Sequence, residues 1–298
     1  GLTPISGDGR YEWDGYLTAA DLPAIENPER GFVHSANEMN IPDGWNHERF
    51  PIGFEWFEDG RADRIAEVIS TGGAQGVAGS CTLQTDSTSA FTTRLLALVP
   101  DDAPMEIREL FSNWDGSADV TSAPALLFER WLSSHLRPAL LKRVAPDAAL
   151  RKFLMPGNIP TVVQLLEGEH QKIAARAGLA DASARDAFLN ETLMAAWTDI
   201  SDQFGADPAL WRWGELHKGY FNHALTPIHV GFDVGPMSKG GSSTSVMLAH
   251  YDASDYRVTV GASVRMVVDV GAWDNRVWIN APGQSGVPGD PHYMDLAP

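Results

Sequence analysis

Apolar residues recur at spacings of three and four through the middle of the chain and in shorter, alternating runs toward both ends. The pattern therefore reads β-rich, then α, then β-rich again. Spacing over 61–69 and 88–98 predicts two amphipathic helices. A longer helix is expected over 122–141, with Leu126, Leu127, Trp131 and Leu136 on its apolar face. Pro138, which lacks the backbone donor, must kink or end it. Residues 161–177 and 184–204 predict two further helices, the second closed by Gly205 as a cap. After Pro208 the pattern changes to short strands over 228–232, 245–250, 258–260, 263–270 and 276–280. Val264, Met266, Val268 and Val270 alternate with Arg265, Val267 and Asp269, as on a strand packed on one face and partly covered on the other. Residues 235–244 read as a flexible Gly/Ser loop, and 31–36 as one more strand, ending at Asn37. So few short strands do not make a large enclosing sheet. The chain also starts at Gly1 inside what looks like a strand-turn element, so it reads as a piece of a larger fold.

Composition narrows the function classes. A chain of 298 residues with 44% hydrophobic content has material for a sizeable core. No apolar run is long enough for a spanning helix, and residues 1–30 lack the pattern of a signal peptide. With 22 basic and 39 acidic side chains the net charge is −17, which repels phosphate backbones and anionic lipid surfaces, so neither nucleic acid nor membrane is expected as a partner. The lone Cys81 has no base beside it among Gly79, Ser80 and Thr82, and is expected as a buried structural thiol.

Candidate chemistry is sparse. Asn37 is a turn residue by position, or an amide donor held at the end of a strand, where it would stabilise charge developing on a carbonyl oxygen. Arg64, on the 61–69 helix, reads by itself as a solvated residue paired with Glu67 or Asp63. His217 and His223 lack the spacing of two ligands on one helical face, and Asp252 and Asp255 lack the pattern of an oxygen cage, so no metal and no cofactor is expected. No Gly-Lys-Ser/Thr follows Gly240-Gly241-Ser242-Ser243-Thr244, which argues against a phosphate cradle. Ser285 does not sit in a G-x-S-x-G elbow. Trp114, Trp131, Trp197, Trp211, Trp213, Trp273 and Trp278 are expected mainly in the core.

Several ordered blocks carry a family resemblance. Residues 27–37 (Asn27-Pro28-Glu29-Arg30-Gly31-Phe32-Val33-His34-Ser35-Ala36-Asn37) follow a Trp-containing turn, Tyr11-Glu12-Trp13-Asp14-Gly15-Tyr16. Arg61-Ala62-Asp63-Arg64-Ile65, Leu83-Gln84-Thr85-Asp86, Asn113-Trp114-Asp115-Gly116 and Trp213-Gly214-Glu215-Leu216-His217 come next. Gly261-Ala262-Ser263-Val264-Arg265-Met266 and Asn280-Ala281-Pro282-Gly283-Gln284-Ser285-Gly286, with Pro291-His292-Tyr293, complete the set. Together they resemble the penicillin acylase family of N-terminal nucleophile hydrolases, over nearly the whole chain.

The resemblance implies an α+β fold. This chain would form part of a four-layer αββα sandwich with a helical middle segment, as the C-terminal portion of one domain: a 1–60 site segment, a mainly helical 61–205 and a β-rich 206–298. It also implies an amidohydrolase that cleaves acyl side chains from penicillins, N-acyl homoserine lactones or other small acylated amines through an acyl-serine. The serine would stand at the N-terminus of another processed chain of the same precursor, where its α-amine serves as base. On the family pattern Asn37 matches the oxyanion-holding asparagine, and Arg64 the arginine near the serine, placed to lower the amine's pKa and to orient Asn37 or substrate. Glu38 departs from the double asparagine of many members. A periplasmic or secreted location is implied as well. The alternative is a binding module that keeps the fold without an active site.

Overall fold

The structure is a computed structural model that describes residues 3–297; the expectation attached to Gly1 lies outside the described residues. Its architecture is α+β, a helical body followed by short antiparallel ribbons.

Helix α1 spans Gly60–Ser70, α2 Gly76–Gln84, α3 Ala90–Leu96 and α4 Met105–Ser112. A glycine is required where α1 begins, because a Cβ on Gly60 would stand 2.6 Å from the Phe91 ring, the contact that seats α1 on α3. Helix α5 (Ala123–Arg130) runs without a break through a π-helical segment, Trp131–Leu136, into α6 (Arg137–Val144). Pro138 was expected to kink or end this helix; instead it stands in the first turn of α6, and the widened turn before it absorbs the register change that its missing N–H imposes. Helices α7 (Ala148–Leu154), α8 (Ile159–Leu166) and α9 (Gln171–Arg176) follow. The single helix expected over 161–177 is two, because Gly168 adopts φ 95° and terminates α8. Helix α10 covers Ala182–Phe204, opened by the Asp181 carboxylate on the Ser183 N–H and closed at Gly205, φ 90°. Helix α11 is a single turn, Trp213–Leu216.

The core lies among these helices. Trp131, Leu132 and Leu136 of the π-segment pack with Phe128, Phe188, Leu189 and Leu193, and Trp211, Trp213, Tyr251 and Tyr256 close one end. Trp131 donates to Thr192 Oγ1 at 3.0 Å, so its indole N–H is not stranded by burial. Trp273 and Trp278, expected in the core, are 60% and 70% exposed. Cys81 is half-buried on α2 rather than enclosed.

Among the described residues six strands form three two-stranded antiparallel ribbons. Strand β1 (Lys218–Phe221) pairs with β2 (Val234–Ser238), β3 (Ala249–Tyr251) with β4 (Val258–Gly261), and β5 (Val264–Val267) with β6 (Val277–Asn280). Two expectations fail here. Residues 230–232 form a 3-10 turn instead of a strand. In β5 the inward and outward faces are exchanged: Val264 and Met266 are 51% and 58% exposed, whereas Arg265 and Val267 are half-buried. Trp278, paired opposite Met266, is 70% exposed, so Val264, Met266 and Trp278 leave an apolar ribbon face uncovered.

The expected flexible loop at 235–244 is also corrected. Its first half is β2, and Gly241, Ser242, Thr244 and Ser245 beyond it are buried and bonded on all sides. The Gly241 N–H donates to Ala118 O at 2.8 Å, its carbonyl accepts from Trp213 Nε1 at 3.0 Å, and Ser245 Oγ accepts from the Ser242 N–H at 2.9 Å. Gly241 has φ 81°, and a Cβ there would meet Met247 O at 2.2 Å. Gly241→Ala is therefore expected to destabilise the protein by about 2 kcal/mol, read as a lowered urea midpoint with unchanged m-value.

Residues 31–36 are extended but unpaired, so no strand forms there. The alternation that suggested one survives in the burial: Phe32, His34 and Ala36 turn inward while Gly31, Val33 and Ser35 turn out. What is missing is a hydrogen-bonding neighbour among the described residues. Much of the rest of 3–59 lies open, with Trp13 88% and Tyr16 95% exposed. The whole molecule exposes 18020 Å², where a compact monomer of 32.4 kDa would expose about 12,000 Å².

Candidate active site

Asn37 ends the extended 31–36 stretch in a left-handed turn, φ 70°, a conformation its short polar side chain tolerates. Its backbone is fixed by the Phe57 N–H, which donates to Asn37 O at 3.0 Å. Its side chain is fixed by Arg61: Nη2 donates to Ala36 O and, at 3.2 Å, to Asn37 Oδ1. That second bond decides which way the amide faces. With Oδ1 turned to the guanidinium, Nδ2 points away, and among the described residues it has no acceptor. Glu38, the departure from the family's second asparagine, folds its carboxylate back onto the Ala36 N–H at 2.6 Å and so tightens the same turn.

Arg61 reaches this position because it lies in the first turn of α1, on the side facing residues 36–37. Its side chain is 11% exposed and that of Glu58, whose Oε1 lies 3.7 Å from Arg61 Nε, is 13% exposed. Neither of these two facing atoms has a hydrogen-bond partner among the described residues. Burial pushes the Glu58 carboxyl above its ordinary value, with the neighbouring Arg61 acting against it.

Arg64 stands one turn further along α1 and does not touch Asn37. Its Nε donates to Asp86 Oδ2 at 2.8 Å and its Nη1 to Glu67 Oε2 at 2.9 Å. The Asp86 bond ties α1 to the segment whose Ser89 hydroxyl meets Thr244 Oγ1 at 2.7 Å. Arg64 thus braces the frame, while Arg61 makes the contact that orients Asn37. The family resemblance points to Arg64, and the structure adds Arg61, three residues earlier in the same motif, as the guanidinium bonded to Asn37.

Asn37 opens onto a cavity of about 400 Å³. One wall is Asn37, Phe57, Glu58 and Arg61; the facing wall comes from α6, the start of α8 and the 243–250 loop. Arg137 of α6, only 9% exposed, holds the Pro156 carbonyl by Nε at 3.0 Å and the Gly157 carbonyl by Nη2 at 2.7 Å. Asn158 caps α8, its Oδ1 accepting from Thr161 N at 3.0 Å and from Thr161 Oγ1 at 2.8 Å. His250 Nδ1 meets Ser243 Oγ at 3.0 Å. A second cavity, of about 420 Å³, opens between the ribbons beside Lys239 and Arg265 and is lined by neither Asn37 nor Arg64.

Behind the Arg137 wall lies a buried polar cluster. Tyr251 donates to Glu129 Oε2 at 2.6 Å, and burial raises the Glu129 carboxyl to about 7. His217 stacks on Trp213, ring centroids 4.5 Å apart, with Nδ1 at 2.6 Å from Lys239 O and Nε2 at 3.3 Å from Ala249 O. Two facing carbonyls favour the imidazolium, but burial outweighs them and lowers the pKa to about 4. The single proton of the neutral ring belongs on the shorter contact, Nδ1.

The other residues weighed from sequence lie apart from this cavity. The His223 ring accepts from the Leu225 N–H at 3.1 Å, and Asp252 and Asp255 accept turn N–H groups of Ser254 and Arg257. Ser285 Oγ accepts from the Val287 N–H at 3.1 Å. Among the described residues no three His, Cys, Asp or Glu side chains gather as a metal site, and no helix is long and apolar enough to cross a membrane.

Comparison with known proteins agrees with the sequence motifs. The penicillin amidase pattern matches residues 1–298. Acyl-homoserine lactone acylase QuiP of Pseudomonas fluorescens (strain Pf-5) is 28% identical over 322 residues, covering 99% of this chain and 39% of that protein. The protein of the same name from Pseudomonas aeruginosa PAO1 is 25% identical over 336 residues, 99% and 39% of the two chains. Penicillin acylase 2 proenzyme of Pseudomonas sp. (strain SE83) is 27% identical over 315 residues, 99% and 38%. The chain thus spans about two-fifths of the length of the curated relatives it matches.

Proposed function

Because the chain belongs to the penicillin amidase family, we propose that it supplies the oxyanion-holding wall of an amide hydrolase whose nucleophilic serine begins another chain of the same precursor. In this reading the serine hydroxyl attacks the acyl carbonyl of an acylated amine, its own α-amine taking the proton. The negative charge that develops on the carbonyl oxygen is met by Asn37 Nδ2–H. Collapse of the adduct returns the proton to the leaving amine and leaves an acyl-serine, which water then hydrolyses. Arg61 is the positioning residue for Asn37, and Arg64 holds α1 in register with the cavity.

The observation that carries the reading is the Arg61 bond to Asn37 Oδ1, which commits the amide to face outward as a donor. A neutral donor held rigidly before the reaction needs no reorganisation when charge appears. The acylase names of the relatives support an acylated amine as substrate, N-acyl homoserine lactones and penicillins included, and the word proenzyme supports processing into separate chains. The open 3–59 stretch, the unpaired 31–36 segment and the uncovered ribbon face are consistent with a four-layer sandwich that the rest of the precursor completes. Intact-mass and N-terminal sequencing of the purified assembly test this directly. A co-purifying chain beginning with Ser, Cys or Thr is expected; an assembly with no such chain and no release of fatty acid from acyl homoserine lactone rejects the reading.

A further inference from the structure

The second cavity, of about 420 Å³, lies between the three ribbons. Strand β2 ends beside Lys239, whose backbone is pinned by His217: its N–H donates to His217 O at 3.0 Å and its carbonyl meets His217 Nδ1 at 2.6 Å. Arg265 reaches the cavity from β5, where it pairs opposite Ile279. Both of these line the space, while Met266 and Trp278 of the next pair lie on the other face of the ribbon. Lys239 and Arg265 are half-buried, and neither side chain has a hydrogen-bonding or ion-pairing partner among the described residues. Their neighbours differ. Lys218 donates to Ser238 Oγ at 3.0 Å and faces Glu215 at 3.7 Å. Arg257 stacks on Tyr220, 3.9 Å from the ring centroid, and donates to Asn222 Oδ1 at 2.6 Å. Asp295, the single carboxylate among the lining residues, is engaged by His292 Nδ1 at 2.7 Å. Burial lowers the Lys239 pKa, and the like charge of Arg265 lowers it further. A charge withdrawn from water is normally paired, so two such cations facing one space in a chain of net charge −17 call for a counter-charge. Much of the remaining wall is apolar, with Tyr220, Phe221, Met237, Val258 and Val260.

Resting on the reading above that the rest of the precursor completes the fold, we propose that this cavity seats a segment of that remainder. The segment sets an aspartate or glutamate carboxylate between Lys239 and Arg265 and lays apolar side chains against the wall around them. The remainder is large, since the chain spans about two-fifths of the length of its curated relatives. The exposed area of 18020 Å², against about 12,000 Å² for a compact monomer of this mass, leaves ample surface for it to cover. A carboxylate accepts from an ammonium and a guanidinium together, which offsets their mutual repulsion and favours the charged lysine. Nucleic acid and anionic lipid do not suit, because two cations set among apolar side chains are too few against the net charge. The substrate of the proposed reaction is not the occupant either, since neither Asn37 nor Arg64 lines this space.

The test uses the assembled protein with every chain of the precursor present. Its structure, at a resolution that shows side chains, is expected to place a carboxylate oxygen from outside residues 1–298 within about 4 Å of Lys239 Nζ or of the Arg265 guanidinium. Solvent, a free anion, a fatty acid or a carboxylate of residues 1–298 in that position overturns the inference. Charge reversal reads the same contact in solution. Lys239→Glu is expected to lower the yield of co-purifying companion chain by about tenfold or more, and reversal of the companion carboxylate to lysine to restore it. A variant that merely misfolds is not rescued by a change on the other chain, and the wild-type structure then decides. Full assembly of both Lys239→Glu and Arg265→Glu overturns the inference. The two readings fail separately. A companion chain that begins with Ser, Cys or Thr but sends no carboxylate into the cavity removes this inference and leaves the hydrolase reading. A single uncleaved polypeptide whose distant part supplies the carboxylate does the reverse.

Discussion

Asn37→Ala in the assembled hydrolase is expected to lower kcat about a hundredfold or more, corresponding to about 2.7–4 kcal/mol of lost transition-state stabilisation. The ground-state amide carbonyl carries only a partial charge, so KM should change little and kcat/KM should fall in step with kcat. Arg61 gives the prediction a second handle. Its Nη2 bond to Asn37 Oδ1 at 3.2 Å is what prevents the amide from turning over. Arg61→Ala should therefore lower kcat in the same direction by a smaller factor, and in the double variant with Asn37→Ala it should add little, because both changes remove one donor. Arg64, bonded to Asp86 and Glu67 instead, should affect stability before it affects kcat. Steady-state kinetics on the three variants separates these outcomes.

Two buried groups behind the cavity are expected to give large pH effects of opposite sign. His217 keeps a folded pKa of about 4 against an ordinary 6.5. The unfolded chain binds its proton first as pH falls, so the stability it contributes is complete above pH 6.5 and is lost on the way down to 4. Glu129 runs the other way, raised to about 7 from an ordinary 4.5. Its folded form holds a proton that the unfolded chain has already released, so stability present below pH 4.5 is lost as pH rises to 7. Each amounts to about 3 kcal/mol, and because their windows overlap with opposite sign they nearly cancel in the wild type. Substitution exposes each. In urea titrations of Glu129→Gln the variant should gain on wild type by about 3 kcal/mol as pH rises from 4.5 to 7. His217→Gln should lose less than wild type as pH falls from 6.5 to 4. Parallel curves for variant and wild type across either window would remove that group from the account.

How much of this was legible in the sequence depends on how local the cause is. Helices α1 and α10 were readable because their apolar spacing and the cap at Gly205 lie within a few residues of the structure they determine. The π-segment before Pro138 was not, because the pattern fixes which side is apolar and is silent on a single widened turn. The β1–β2 pairing joins residues near 218 to residues near 236, and nothing in either run alone names the other. Burial of 240–245 hangs on Trp213 and Ala118 reaching the Gly241 backbone, which turned an apparently flexible glycine-serine stretch into a fixed cavity wall. The exchanged faces of β5 follow from period-two alternation, which distinguishes two sides without saying which one is covered.

At the proposed site, the expectation for Asn37 came from family resemblance alone, since an asparagine ending a short extended run is otherwise a turn residue. Arg61 was within reach of the same motif. Its role depends on helix phase, and the residue three positions later on the helix points to Asp86 instead. Arg137 was not legible at all, being a hundred positions from Asn37 in sequence and brought to the cavity only by the packing of α6.

The central claim, that Asn37 holds the oxyanion, is tested most directly by the affinity of an alkylboronic acid, which forms a negatively charged tetrahedral adduct on a serine hydroxyl. Its inhibition constant, measured on the assembled protein, should rise about a hundredfold in Asn37→Ala while KM for the acyl amide stays near wild type. An inhibition constant equal in wild type and variant would contradict the account.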